Sequence, residues 1–351
     1  MNRNVQFAQD AARLEREWGI VTPFAFDYLP DEFRSDFAMA TDAQPALVTG
    51  PNAGIPIWAT AYVDPETIRV LQTPNKGAMI LGEQKKGSWI DQTAFFPVIE
   101  NTGVVSTYGD FNASGRSDAN ANFIQRQSYL FQTVIEYGEL EEQRAGAAKL
   151  AWVSELTISA AKTLDKFMDY VYHFGVSILE NYGITNDPAF SAALTPATKA
   201  YNGVKWVNGG QVVATANEIY NDFLSIYNEV ATQAPGYVDQ DTKYSFVYPN
   251  TVAGALAATN SFGITVRGML KESFPNVDLV VDPRYALASG NLVQLIAKEI
   301  DGKTTGYCAF SEKQRDHRIV QAESSMRQKK TAGSWGAINR YPMAYGQMLG
   351  V

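Results

Sequence analysis

The side chains that most often carry catalysis or hold metals are scarce in this sequence. Its only histidines are His173 and His317 and its only cysteine is Cys308. Neither an HExxH zinc pair nor a Cys/His cluster can form from these, and an intramolecular disulfide is excluded. No GxSxG elbow and no GxGxxG turn occurs, which removes the nucleophile-elbow hydrolases and the dinucleotide-binding folds. Two stretches approach a phosphate loop. Gly82-EQKK-Gly87 continues with Ser88-Trp89 where Lys-Ser/Thr is needed, and Gly302-Lys303-Thr304 has Ala297 in place of the leading glycine, so neither would cradle phosphate. The nearest approach to a metal site is Asp110-x-Asn112-x-Ser114-Gly115 with Asp118 at the ninth position, the opening of a calcium loop. Ala121 then occupies the twelfth position, where a bidentate glutamate belongs, and no helices flank the segment. The expectation is a flexible polar loop tip, with no metal and no cofactor.

Charge is the other property that could act on a partner. The formal charge is −8, yet from Ser311 to Val351 seven Lys/Arg stand against three acids, so this tail is +4 and the rest −12. Arg327, Lys329 and Lys330 are nearly adjacent. Such a segment can make weak, non-specific, salt-dependent phosphate contacts, or pair with acidic patches on another chain. Both readings stand. Were the protein an enzyme instead, its site would lie on the α/β lobe around Tyr244, Arg267 and Asp282 and would show as a deep polar pocket. A non-enzymatic role is the expectation.

The elements that position these residues follow from periodicity. The composition is 46% hydrophobic, 12% aromatic and 19% charged, which is globular and large enough for two or three lobes. No apolar run approaches the ~20 residues that cross a bilayer, and the polar N-terminus has no signal-peptide core, so a soluble, unsecreted protein is expected. From Glu139 to Gly175 there is no proline, and no glycine between Ala147 and Phe174. Leu150, Val153, Ala160, Ala161, Leu164, Phe167, Met168 and Val171 fall at three-and-four spacing, with Glu155, Lys162, Lys166 and Asp169 on the opposite stripe. This predicts one long helix of roughly 40 Å, one face buried and the other solvated. A long core helix of any large α/β protein fits the same pattern.

Before it, a short helix over residues 4–18 is followed by prolines at 23, 30, 45, 51 and 56, an arm too punctuated to bury itself. Ile55 to Leu71 reads as two short strands around Asp64-Pro65. Residues 73–123 form a polar excursion with strand-like pieces at Phe95 to Ile99 and Val104 to Tyr108, and FIQRQSYLFQTVIEYG returns as a strand. A fifty-residue excursion is rare without a job. Further on, Thr215-Ala-Asn-Glu218 is a capping box opening a helix through Val230. Strands are expected at 243–248, 277–281, 292–296 and 305–310, a short alanine-rich helix after Pro249, another over 266–274, and closing strands within SWGAINRYPMAYGQML.

Several long segments, PVIENTGVVSTYGDFNASGRSDANANFIQRQSYLFQTVIEYGELEEQRAG, HFGV followed by ENYGITNDP, TGYCAFSEK, and SSMRQKKTAGSWGAINRYPMAYGQMLG, resemble the major capsid proteins of tailed bacteriophages with the HK97-like fold, a family long catalogued as a domain of unknown function. The resemblance implies an α+β subunit. Its parts would be an N-terminal arm (1–54), P-domain strands (55–73), an extended E-loop (74–135), a P-domain on a long spine helix (136–199), a mixed α/β A-domain (200–312) and P-domain C-terminal strands (313–351). It implies pentamers and hexamers closing an icosahedral shell around phage DNA, assembled in the bacterial host cytoplasm, with portal and scaffolding proteins as further partners. The chain opens at Met1 with no long helical extension, so a separate scaffolding protein is expected. Lys85, Lys86, Trp89, Asp110 and Arg116 would be residues of the E-loop that meet neighbouring copies, and Arg327, Lys329 and Lys330 would face DNA or a seam. One branch of the fold crosslinks an E-loop lysine to a neighbour's asparagine; no partner is identifiable here and no crosslink is assigned. An encapsulin-like cargo shell is the alternative within the fold.

Overall fold

The computed structural model describes residues 73–351 apart from positions 113 and 149. The expected arm over 1–54 and the two strands over 55–71 lie outside the described residues. A short helix, α1 (Gly77–Leu81), precedes β1 (Glu83–Lys85). Two twelve-residue strands, β2 (Thr93–Val104) and β3 (Arg116–Gln127), are followed by β4 (Tyr129–Gly138), α2 (Glu139–Ala147) and α3 (Trp152–Phe174). Then come β5 (Val207–Asn208), β6 (Gln211–Val212), α4 (Ala216–Gln233), β7 (Tyr244–Tyr248), a 3-10 segment (Asn250–Ala257), α5 (Val266–Ser273), β8 (Val277–Val281) and β9 (Ala286–Leu287). The chain closes with β10 (Gly290–Ala297), β11 (Glu299–Ile300), β12 (Lys303–Thr304), β13 (Gly306–Asp316), β14 (Val320–Gln321), β15 (Ser325–Asn339) and β16 (Tyr345–Leu349). The mixture is α+β. The described chain divides into two compact units, one of residues 73–75, 131–170 and 314–331, the other of 76–130, 171–313 and 332–351.

In the larger unit β16, β10, β7 and β8 form one sheet in that order. The pairs are antiparallel except β7 with β8. All of β7 and all but the first two residues of β10 are buried, as strands covered on both faces must be, and both accordingly read as apolar runs. Helix α4 lies on this sheet, close enough that a Cβ on Gly346 of β16 would come 2.7 Å from Ile226. Phe223 meets Phe246 and Phe274 edge-on, both at 5.1 Å. The capping box is formed: Thr215 accepts from the Glu218 amide, and the Glu218 carboxylate accepts from the Thr215 amide at 2.8 Å. Several polar groups inside this core are matched, although the Ser245 and Tyr345 hydroxyls lack a hydrogen-bond partner. Lys199 and the indole of Trp206 both donate to Asp222. His173 contacts Asp282 at 2.7 Å. Burial works against the Asp282 charge, but the His173 contact, the Arg284 amide and the Arg284 charge hold its carboxyl below the usual value.

In the smaller unit Phe131 of β4 packs edge-on against Phe167 of α3 at 4.6 Å, and Phe167 stacks on Tyr170. The first half of β15 pairs with β14, Val320 opposite Arg327. The single long helix expected from Glu139 to Gly175 is two helices. None of α2's described residues is buried, so nothing beyond weak propensity holds that turn in line with α3. Instead Leu150 N–H bonds the Ala145 carbonyl, and the Trp152 indole folds back to Glu141 at 2.7 Å. The solvated stripe needs correction too, since Lys166 and Asp169 are buried along with the apolar residues around them. Sequence period reports where apolar groups point, not whether the polar side is also covered. Leu164 is among the most buried residues of α3. We expect Leu164→Asp to cost at least about 3 kcal/mol, read as insoluble protein or a lost cooperative melting transition; a soluble variant with an unchanged midpoint would contradict this packing.

Candidate assembly surfaces

The polar stretch GDFNASGRSDANAN is not a loop tip as a whole. From Arg116 it is strand, because β3 pairs with β2 over twelve consecutive positions, Thr93 opposite Gln127 through Val104 opposite Arg116. Opposed residues of an antiparallel pair share a face. One face therefore carries Phe95, Pro97, Ile99, Ala119, Ala121 and Phe123, with Asn101, Ser117 and Gln125 among them. The other carries mainly polar groups beyond its foot, Glu100, Thr102, Arg116, Asp118, Asn120 and Asn122, together with Val98 and Val104. At that foot Ala94 and Phe96 pack on Tyr307, Ala309, Trp335 and Ile338. Further out nothing in the described chain covers the apolar face, where Ile99 is 67% and Phe123 60% exposed. Pro97 is tolerated because a two-stranded ribbon has only edge strands. At the tip Val105, Tyr108 and Phe111 are almost wholly exposed.

The foot of this ribbon is held firmly. Arg126 of β3 reaches Asp187 at 3.2 Å and lies over the Tyr182 ring at 4.9 Å. Asp187 is buried and also accepts from Asn339 of β15 at 2.9 Å. Gln127 N–H donates to the Glu180 carbonyl, and the buried Asn181 amide donates to the carbonyls of Gln127 and Ser334. None of Arg126, Asn181 and Asp187 stood out in the sequence as a site. Their only signal is the density of Asn, Asp and Gly in ENYGITNDP, which marks a turn but not what it grips.

The eight candidate residues do not form one cluster. Asp110 is exposed at the ribbon tip, accepting from the Tyr108 hydroxyl at 2.8 Å, and Arg116 opens β3 opposite Val104. Lys85 and Lys86 lie outside the ribbon: β1 runs parallel to β13, Glu83 opposite Cys308. Lys85 pairs with Glu312 at 3.4 Å, Glu83 with Lys313, and Lys86 sits over the Tyr307 ring while its carbonyl accepts from the Trp335 indole. Trp89 is half-buried in the turn after β1. In the basic segment, Arg327 and Lys329 are exposed on one face of β15, with Arg327 loosely opposite Glu136 at 3.9 Å. Lys330 points to the other face, is 2% exposed, and pairs with Asp316 of its own chain at 3.0 Å. Asp316 is held below the usual carboxylate value, first by the Gln314 amide and then by Lys330.

The other near misses are accounted for locally. Asp110, Asn112 and Asp118 bond within the tip and strand, to Tyr108, Ser114 and Ala119 respectively. No group of three or more His, Cys, Asp or Glu placed to hold a metal occurs among the described residues. Tyr244, Arg267 and Asp282 are engaged separately: the Tyr244 hydroxyl donates to the Asp239 carbonyl, Asp282 bonds His173, and Arg267 is exposed on α5. No helix among the described residues is long and apolar enough to cross a membrane.

Subunits of solved viral shells share this fold. The capsid of Myoviridae phage XM1 matches with a TM-score of 0.67 at 13% identity, over 86% of this chain and 100% of that one. Gordonia phage Cozz matches at 0.55 and 11%, over 88% and 99%, and the capsid of the native GTA particle at 0.55 and 11%, over 85% and 100%. At these identities the likeness is one of fold. The family comes from sequence: the model of the Pa193 gp26 major capsid protein family matches residues 46–350, and the chain belongs to that family. A comparison with curated proteins returns no match. The protein is thus a structural component of a bacteriophage capsid shell.

The grip on the ribbon foot can be measured in the isolated protein. Asp187→Ala leaves the mostly buried Arg126 without its carboxylate and should cost about 3 kcal/mol, with faster proteolysis near Gln92 and Ser128. Unchanged stability and unchanged cleavage would show that the foot is held by other contacts.

Proposed function

We propose that the chain assembles into pentamers and hexamers that close an icosahedral shell around packaged phage DNA, forming in the host cytoplasm with portal and scaffolding proteins as partners. In this reading the β2–β3 ribbon is the E-loop, α3 is the spine helix of the P-domain, residues 200–312 make the axial A-domain, and residues 1–54 form an arm laid on a neighbour. The observation that carries it is the amphipathic ribbon. An apolar face built from Phe95, Pro97, Ile99 and Phe123 and left open to water is what a shell protein offers to another copy, while the Glu100, Asp118 and Asn120 face suits solvent.

Ile99→Asp combined with Phe123→Asp should change the stability of the free protein by no more than about 0.5 kcal/mol, since both sites are exposed, yet abolish shells in electron micrographs. Removing Glu100 to Asn122 should do the same. Normal shells from either variant would sink the ribbon's role.

Arg327 and Lys329 are the candidates for contact with DNA, because both are exposed and share a face of β15. Lys330 drops out of that set, being buried against Asp316. Arg327→Gln with Lys329→Gln should lower the salt slope of duplex-DNA binding by about 1 per lost phosphate contact, while Lys330→Met leaves it unchanged. An unaltered slope in the double variant would assign these cations to a seam between copies instead.

A further inference from the structure

The four-residue turn that follows α3 holds a backbone conformation its sequence does not favour. Val176 and Asn181 bridge antiparallel across it, with Val176 N–H to the Asn181 carbonyl at 3.0 Å and Leu179 N–H to the Val176 carbonyl at 3.3 Å. Between them Ile178 has φ +76°. The other described non-glycine residues with positive φ are Asn202 and Asp301, types whose short polar side chains tolerate the left-handed region. A β-branched residue does not, and its strain has to be held by the surroundings. Those surroundings are firm. Gly175 is hemmed in, since a Cβ there would lie 2.1 Å from the Asn181 carbonyl oxygen, while Asn181 and Glu180 bond Gln127 and Asn181 bonds Ser334.

What the strain presents is an isoleucine side chain that is 64% exposed. Glycine or asparagine would make the same turn at lower cost to the isolated protein. A scattered surface isoleucine needs no explanation, but one that is strained, exposed and rigidly mounted gains nothing from the described residues of its own chain. We propose that Ile178 is a knob between copies, buried against a second copy of this chain when the shell assembles. The occupant is a second copy because the chain is a capsid shell protein and because the turn shares its anchor, Gln127, with the ribbon foot. A neighbour seated on the ribbon therefore meets a knob fixed in register with it. This inference rests on the capsid reading and adds a surface that the ribbon alone does not supply.

The chain's single cysteine, Cys308, is buried, so Ile178→Cys places the one accessible thiol on the turn. Maleimide labelling of that variant should be about tenfold or more slower in assembled particles than in the dissociated protein, since thiol reactivity follows exposure. Ile178→Gly should raise the melting midpoint of the free protein while its shells dissociate at lower denaturant concentration. Particles that form with a fully reactive thiol, or Ile178→Gly shells as resistant as wild type, overturn this inference and leave the capsid reading intact. A native virion shell lacking the chain overturns both.

Discussion

The structure depends on how the buried end of α3 is closed. A helix leaves its last carbonyls without partners, and here Tyr172 and His173 are buried. The chain returns to satisfy them itself: Ile184 N–H bonds the Tyr172 carbonyl, Thr185 donates both its amide and its hydroxyl to the His173 carbonyl, and the Asn186 side chain donates to that of Phe174. That return must pass so close to the helix end that a Cβ on Gly183 would sit 2.1 Å from the His173 carbonyl oxygen. Only glycine fits. The same return delivers Asn181, Tyr182 and Asp187 to the ribbon foot and to β15. One hydrogen-bonding requirement thus fixes the route of the segment that grips the projecting element.

Stability and exposure are divided along the chain accordingly. Around the central sheet the aromatic residues Phe223, Tyr244, Phe246, Phe274 and Tyr285 are buried almost completely, so that core is filled from within the chain. Among the described residues the ribbon beyond Phe96 has only its own ladder, and an isolated two-stranded hairpin is marginal in water. Its persistence comes from the foot, where Arg126 is clamped by Asp187 and Tyr182. Bare ribbons also invite wrong pairing at their edges. Pro97 on β2, and the charged and amide groups that alternate along β3, make a further strand there costly while leaving the apolar face free.

How much of this could be read from sequence varies with what each signal measures. Three-and-four spacing located α3 and its Leu164, Phe167 and Val171 face, and the Thr215/Glu218 pair located the start of α4 to the residue. The break between α2 and α3 leaves no mark in the sequence, because propensity is a weak force and what EEQRAGAAKL lacks is anything to pack on. SDANAN reads as loop since Asp, Asn and Ala are poor strand formers; the ladder to β2 overrides that preference, and ladder partners are not a local property. In the basic segment adjacency misled. Lys329 and Lys330 look like one charged patch, but within a strand neighbours point to opposite faces, and one is exposed while the other is buried against Asp316.

The candidate surfaces were the least legible part, for a physical reason. Enzymes concentrate perturbed groups and rare residue types at a site, so motif spacing can find them. A shell protein works by shape and by apolar area, made from the commonest residues in ordinary numbers. Phe95, Ile99 and Phe123 are distinguished from core residues only by the absence of any described residue over them, and that is a fact about the fold. Lys85 and Lys86 show the converse: charged, and candidates by position, yet one is matched to Glu312 and the other laid on Tyr307 in the same chain. For a protein of this kind, the informative observation is a rigidly held apolar group with no intramolecular reason to be exposed, and it becomes visible once the backbone conformation holding it is known.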